Sequence, residues 1–365
     1  LQSIFENLKI SNENKEFRSN SLEHFLSTGF PNKRSEDWKF SDLNNIISSN
    51  INSLKFFDKK LIYKEKLETI KLKVFDEEIA ENNILIIING YVNAINFDNE
   101  DIKKIQIIDS IENTPTKSLN SLISLNNAFV SNYLKITVKE NYKFNKPLIV
   151  LNITNENIQS TNINQRFDLV LEKNSQLTLI NLFSENSNNN FININHQFNI
   201  LEGAILKNYK IETLNNTNIK YFYNEIDLDK NSTSENFVYS SGSKFLKNDI
   251  KCNINKEGAS VLINGIINLK KDQHHEIKTL VNHLNCNTKS YQLIKSVLNE
   301  NAKGVYQGKI FVENNAQKTD GYQLSKTLLL NPNSEFNGKP ELEIYADDVK
   351  CSHGSTSGNL DQDTI

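Results

Sequence analysis

Methionine is absent and cysteine is scarce, with only three among 365 residues. Three thiols, Cys252, Cys286 and Cys351, are an odd and sparse set. They exclude a disulfide framework and point to a reducing compartment. An excess of one charge is lacking as well. Lysine plus arginine number 41 against 44 acidic residues, a formal net charge of -3. That leaves no electrostatic footprint for nucleic acid or an anionic membrane. Apolar runs such as Ile84 to Ile88 are far too short to span a bilayer. No P-loop, nucleophile elbow or Gly-x-Gly-x-x-Gly fingerprint occurs. Gly242-Ser243-Lys244 lacks the earlier glycine a P-loop needs, so nucleotide hydrolysis must belong to a partner. No charged-then-apolar leader opens the chain, and a cytoplasmic location is expected. Beginning at Leu1 without methionine, the sequence is expected to be less than an intact translation product.

What is present is asparagine in abundance, which reflects genome composition, and a change of periodicity along the chain. The first quarter is helical in character. Ser21 to Leu26 places Leu22, Phe25 and Leu26 at helical spacing behind a candidate Ser21 cap, Lys59 to Lys71 reads as an amphipathic helix, and Pro31 separates the two. From Ile84 onward short alternating runs dominate, for example Leu134 to Val138, Phe167 to Leu171 and Phe191 to Asn195. Six turns carry a polar residue or proline, then Asn or Gly, then Ser or Ala. They centre on Asn174, Gly203, Asn231, Gly258, Asn301 and Asn333. The first four recur at roughly 28 residues, within the range of solenoids. The longer fifth interval reads as an insertion or a skipped marker. Asn and Gly tolerate the left-handed backbone of tight corners. Stacked coils would bury a continuous apolar interior, although a sandwich of repeated hairpins fits the same pattern. The expected division is a helical domain over 1–80, a β core over 81–354, and the start of a further helical region over 355–365, with Asp361 as its cap.

The chemistry concentrates near the end, where residues 346–354 read ADDVKCSHG. In an extended chain Asp347, Val349, Cys351 and His353 share one face, and Cys351 and His353 stand about 7 Å apart. A thiolate and an imidazole so placed can serve one soft metal or cluster. A closed tetrahedral site needs four donors, so the remaining ligands would come from elsewhere, plausibly another chain. A buried cysteine acting as a small hydrophobe is the plainer alternative. His274, His275, His283 and Cys286 follow no metal spacing and read as a solvated turn or coil edge. Cys252, in phase with Ile250 and Ile254, reads as core. Trp38 reads as an anchor for the helical domain.

Several blocks carry a resemblance. They are Arg34 to Phe40, Ala302 to Lys309, Ala316 to Gly321, Leu328 to Leu330, and Lys339 to Ile344 running on into Ala346 to Gly354. Together they resemble the SufB/SufD family, the scaffold subunits of the Suf iron–sulfur cluster assembly machinery, and the last block points to the SufD branch. The resemblance implies a right-handed parallel β-helix and a non-catalytic scaffold. It also implies a complex with SufB and the SufC ATPase, and a nascent cluster held transiently at the SufB interface. On that basis Cys351 and His353 would form half of the site. The resemblance further implies a C-terminal helical region that docks SufC; most of that region is expected to lie beyond this sequence, and the isolated chain could pair with itself. The rival classes are a β-helix enzyme acting on polysaccharide, which needs clustered carboxylates in a groove, and an exported structural solenoid. Neither has an export signal to support it.

Overall fold

In the computed structural model, residues 1–6, 12–66, 81–108, 120–130 and 133–359 are described. Among these residues four α-helices, α1 (Gln2–Glu6), α2 (Asn12–Thr28), α3 (Leu43–Asn50) and α4 (Ser121–Phe129), accompany nineteen strands. The early strands are β1 (Asn83–Ile88), β2 (Tyr91–Asn96), β3 (Ile105–Ile108), β4 (Tyr133–Val138), β5 (Leu148–Thr154), β6 (Asn162–Leu171) and β7 (Gln176–Glu185). The middle of the chain supplies β8 (Phe191–Ile200), β9 (Ile205–Glu212), β10 (Ile219–Leu228), β11 (Thr233–Ser240), β12 (Phe245–Ile254) and β13 (Ser260–Leu269). The last are β14 (His274–His283), β15 (Lys289–Leu298), β16 (Lys303–Val312), β17 (Thr319–Leu329), β18 (Glu335–Ile344) and β19 (Val349–Asn359).

From β4 onward the strands alternate between two sheets, giving a parallel solenoid of about 8 turns. Sheet one runs β19-β17-β15-β13-β11-β9-β7-β5-β1-β2 and sheet two β18-β16-β14-β12-β10-β8-β6-β4-β3. Among the described strands only β1–β2 and β3–β4 pair antiparallel, so the hairpin sandwich is excluded. Period-two patterning makes the core. In β13, Val261, Ile263, Ile267 and Leu269 point inward and are buried, and Leu85, Phe167, Phe198, Ile226 and Ile277 join the same apolar column.

The corner repeat has a physical basis and one misread step. Asn174, Gly203, Asn231 and Gly258 all lie at positive φ on the same edge, between a sheet-two strand and the next sheet-one strand. Their amides bond the coil above: Asn174 N–H donates to Glu202 O at 2.9 Å, Gly203 N–H to Lys230 O at 2.9 Å and Asn231 N–H to Glu257 O at 3.0 Å. Ser175, Ala204, Ser232 and Ala259 follow, each fully buried. The long fifth interval is neither an insertion nor a gap. The same edge continues through Asn287 and Lys318, both at positive φ, whereas the turns at Asn301 and Asn333 lie on the opposite edge. In the first of those two, Glu300 and not Asn301 takes the left-handed conformation.

Asn and Gly also alternate for a steric reason. The side-chain oxygens of Asn174 and Asn231 occupy the places where a Cβ would stand on Gly203 and Gly258. Gly258→Ala should therefore lose about 1–3 kcal/mol of stability from the left-handed backbone alone. Adding Asn231→Gly should return part of that loss by clearing the collision. Urea unfolding midpoints measure both, and an unchanged midpoint in Gly258→Ala would refute the account.

The helices lie over sheet two. Leu22 and Phe25 of α2 are buried with Leu125 and Phe129 of α4, and the Arg18 guanidinium donates to Ala128 O at 3.4 Å. Ser21 is no cap, because α2 begins a turn and a half or more before it and its hydroxyl donates to Phe17 O at 2.9 Å. Leu26 is exposed. The segment from Lys59 starts as a 3-10 turn, Lys59–Leu61, and continues without helix to residue 66; residues 67–71 fall outside the described residues. At the other end, 355–359 continue β19, ahead of the helix expected from Asp361. Asp361 lies outside the described residues. Among those described, no helix is long and apolar enough to cross a membrane.

Candidate functional site

Strand register decides where the reactive pair points. Gly321 of β17 is the partner of Cys351, and Gln323 of His353. Traced back through β15 and β13, these positions continue as Ser290 and Val261, and as Gln292 and Ile263. All four are buried inward side chains. Cys351 and His353 do share a face, and that face looks into the solenoid. β19 is the last strand among the described residues, and the two stand at the mouth where the described stack ends. His353 is exposed there, while Cys351 is partly buried against Ile310, Val312, Ala316 and Ala346. Burial pushes the Cys351 thiol up, the Gly321 backbone N–H draws it down and the Asp320 charge raises it again, for a net upward shift. Metal binding at this sulfur must displace a firmly held proton.

The expected face does not reach back to Asp347. The strand begins at Val349, and Asp347 and Asp348 form the bend before it, where Asp348 N–H donates to Gln317 Oε1 at 2.9 Å. β19 runs past Gly354 to Asn359. Among the described residues no three His, Cys, Asp or Glu side chains are grouped to hold a metal ion.

The other histidines are not at a solvated edge. His275 is fully buried: its Nε2–H donates to Ser243 O at 2.8 Å and its Nδ1 lies 2.8 Å from the Ser240 hydroxyl. His283, also fully buried, sits 2.7 Å from Thr288 Oγ1 and 2.9 Å from Ser290 Oγ. Burial lowers both, His275 to about 3 and His283 to about 4. His274 does face the other way, 2.9 Å from Glu276. Cys252 is core, as its pattern implied, and Cys286 lies in the β14–β15 corner.

Trp38 anchors the helical side. Its ring lies 5.7 Å from Tyr221 and 6.4 Å from Phe245, with Lys247 Nζ 5.0 Å from its centroid. The neighbouring Glu36 and Asp37 pair with Lys339 and Lys278 of sheet two, which pins the Arg34–Phe40 segment across three coils. Trp38→Ala should cost about 3–5 kcal/mol, as for other buried aromatics. A thermal melt within a degree of the parent would argue against this anchor.

Sequence reasoning missed the buried ion pairs. Lys220, fully buried, bonds both Glu185 and Glu212, and Lys247 bonds Glu276 at 2.7 Å. The available signal was a lysine inside the otherwise apolar and aromatic run Ile219 to Tyr223. These pairs are sealed from solvent and neutralise one another, which suits structure better than chemistry on a bound substrate.

The chain as a whole is similar to known proteins. The family model for the SufBD core domain of the SUF iron–sulfur cluster assembly system matches residues 152–365. The iron–sulfur cluster assembly protein SufD of Escherichia coli K12 is 27% identical over 351 residues, covering 94% of this chain and 80% of the relative. A SufBD family protein of Synechocystis sp. is 24% identical, covering 93% and 78% respectively. The chloroplastic protein ABCI7 of Arabidopsis thaliana is 24% identical, covering 95% and 76%.

Proposed function

The chain belongs to the SufBD family and has a role in iron–sulfur cluster assembly; from that premise we propose that it is a non-catalytic scaffold that pairs with SufB through its open solenoid end. One observation supports the reading above others. Among the described residues β18 and β19 each have a sheet neighbour on one side only, and Cys351 and His353 stand on one of them. Free parallel edges accept strands from another chain. Exposed Ile344 and Tyr345 beside the same mouth supply apolar surface for such a contact. Two donors cannot close a tetrahedral site, so SufB completes the set around a nascent cluster that is cargo and not a resident cofactor. In this arrangement 1–80 is the helical domain, its described helices α2 and α3 pack over sheet two, and the solenoid carries the donors.

The SufC ATPase supplies nucleotide hydrolysis, which no motif in this chain provides, and the complex works in the cytoplasm. Without SufB, the same edges are available to a second copy. A polysaccharide-acting enzyme is disfavoured by the ion pairs described above, since Glu185 and Glu212 are engaged by Lys220 inside the solenoid.

The test is co-expression with SufB and SufC, purification without oxygen, and measurement of iron and sulfide. The three proteins should co-purify with a cluster, and this chain alone should retain almost no iron. Stoichiometric iron and sulfide on the isolated chain would sink the half-site.

A further inference from the structure

Gly321 stands directly behind Cys351 in the inward column of sheet one, where the three preceding coils carry Ser234, Val261 and Ser290. Side chains are thus accommodated in this column except next to the cysteine. The backbone does not demand glycine either, because Gly321 is not among the residues at positive φ. What it provides is space. A Cβ at Gly321 would lie 3.3 Å from Cys351 Sγ and 3.4 and 3.5 Å from Ile310 carbons, so a methyl group there would touch Ile310 and press the sulfur outward by a few tenths of an ångström.

We propose that Gly321 is a positioning residue for Cys351: its bare backbone is the seat that holds the sulfur back against the last closed coil and presents it to an incoming metal from the open side only. The inference deepens the scaffold reading, since it matters for assembly only if Cys351 is a ligand. Its physical core is independent of that. In an ordinary strand the Cys351 side chain could swing toward solvent. Here Gly321 and Ile310 form a shallow recess, and the sulfur's depth in it is set by the missing methyl group. Ala346 and Leu342 complete the apolar surround.

The experiment pairs Gly321→Ala with Cys351→Ala, alone and together, in a Cys286→Ser background of the whole chain. Gly265→Ala serves as a control, because a Cβ there would press on Ile294 and Ile277, inside the solenoid and away from Cys351. Above the thiol's midpoint pH, the iodoacetamide alkylation rate at Cys351 should rise about threefold or more in Gly321→Ala, since the sulfur is displaced outward. It should not change in Gly265→Ala. The drop in urea midpoint caused by Gly321→Ala should shrink by about half or more when Cys351 is alanine, the signature of two residues in contact. Should Gly321→Ala fail to fold, Cys351→Ala must rescue it. An equal loss in both backgrounds, or no rescue, would assign the glycine to Ile310 and overturn the proposal.

In the complex with SufB and SufC, Gly321→Ala should lower bound iron severalfold while Gly265→Ala spares it. Coupling between the two residues with undiminished iron would keep the seat and reject Cys351 as a ligand, so the two failures are told apart.

Discussion

Replacing His353 with alanine should lower the iron and sulfide recovered on the reconstituted complex by about tenfold or more. Loss of a mere outer-shell partner commonly costs about 10–100-fold in metal affinity, and a direct donor should cost no less. The side chain is exposed at the solenoid mouth, so the fold should survive with an unchanged urea midpoint. Cys351→Ala should differ in kind. Its sulfur packs against Ile310, Val312, Ala316 and Ala346, so cluster loss should come with a stability loss on the order of 1 kcal/mol. Undiminished iron and sulfide in both variants would leave the pair a purely structural role.

Acid should unfold this protein at mildly low pH. His196, His275 and His283 are buried, and burial lowers them to about 3, about 3 and about 4. Each is neutral in the fold but takes a proton in the unfolded chain once the pH drops below about 6.5. The unfolded state then binds more protons, so stability is present above pH 6.5 and falls as the pH falls toward the folded values. By pH 5 each histidine forfeits about 2 kcal/mol, on the order of 6 kcal/mol for the three.

Glu212 acts in the opposite sense. Burial raises it to about 7, so between 4.5 and 7 the folded state binds the extra proton and gains stability on acidification. That offset is about 2.5 kcal/mol by pH 5, leaving a net loss of roughly 3–4 kcal/mol. Urea midpoints at pH 7 and pH 5 measure it, and His283→Gln should flatten the dependence by about one proton's worth. Equal midpoints at the two pH values would contradict the burial of these rings.

The solenoid was legible because its corners need left-handed backbone, which Asn and Gly advertise at Asn174, Gly203, Asn231 and Gly258. The thread was lost after Gly258, since Asn287 and Lys318 keep the geometry without the Ser or Ala that marked it. Alternation also shows that two residues share a face without saying which face is inside. Cys351 and His353 were correctly placed together on period two. That they look inward emerges only from register against Gly321 and Gln323, a relation between residues thirty apart. The same ambiguity hid Lys220, His275 and His283. Each is a polar residue in a strand, and polarity alone assigns it to solvent when neighbouring coils supply its partners inside.

The two ends of the stack are unlike, and that asymmetry limits how many copies can be joined. Antiparallel β2 and the four-residue β3 finish one end, with a register break between Ile86 and Ile87 in the adjoining pair, features that discourage further pairing. Among the described residues, only the β18–β19 end has its outermost strands paired parallel. In the proposed pairing, two such ends meeting mouth to mouth would use each other's edges, so that contact joins two solenoids and leaves no further parallel edge to extend the stack, unlike a head-to-tail arrangement.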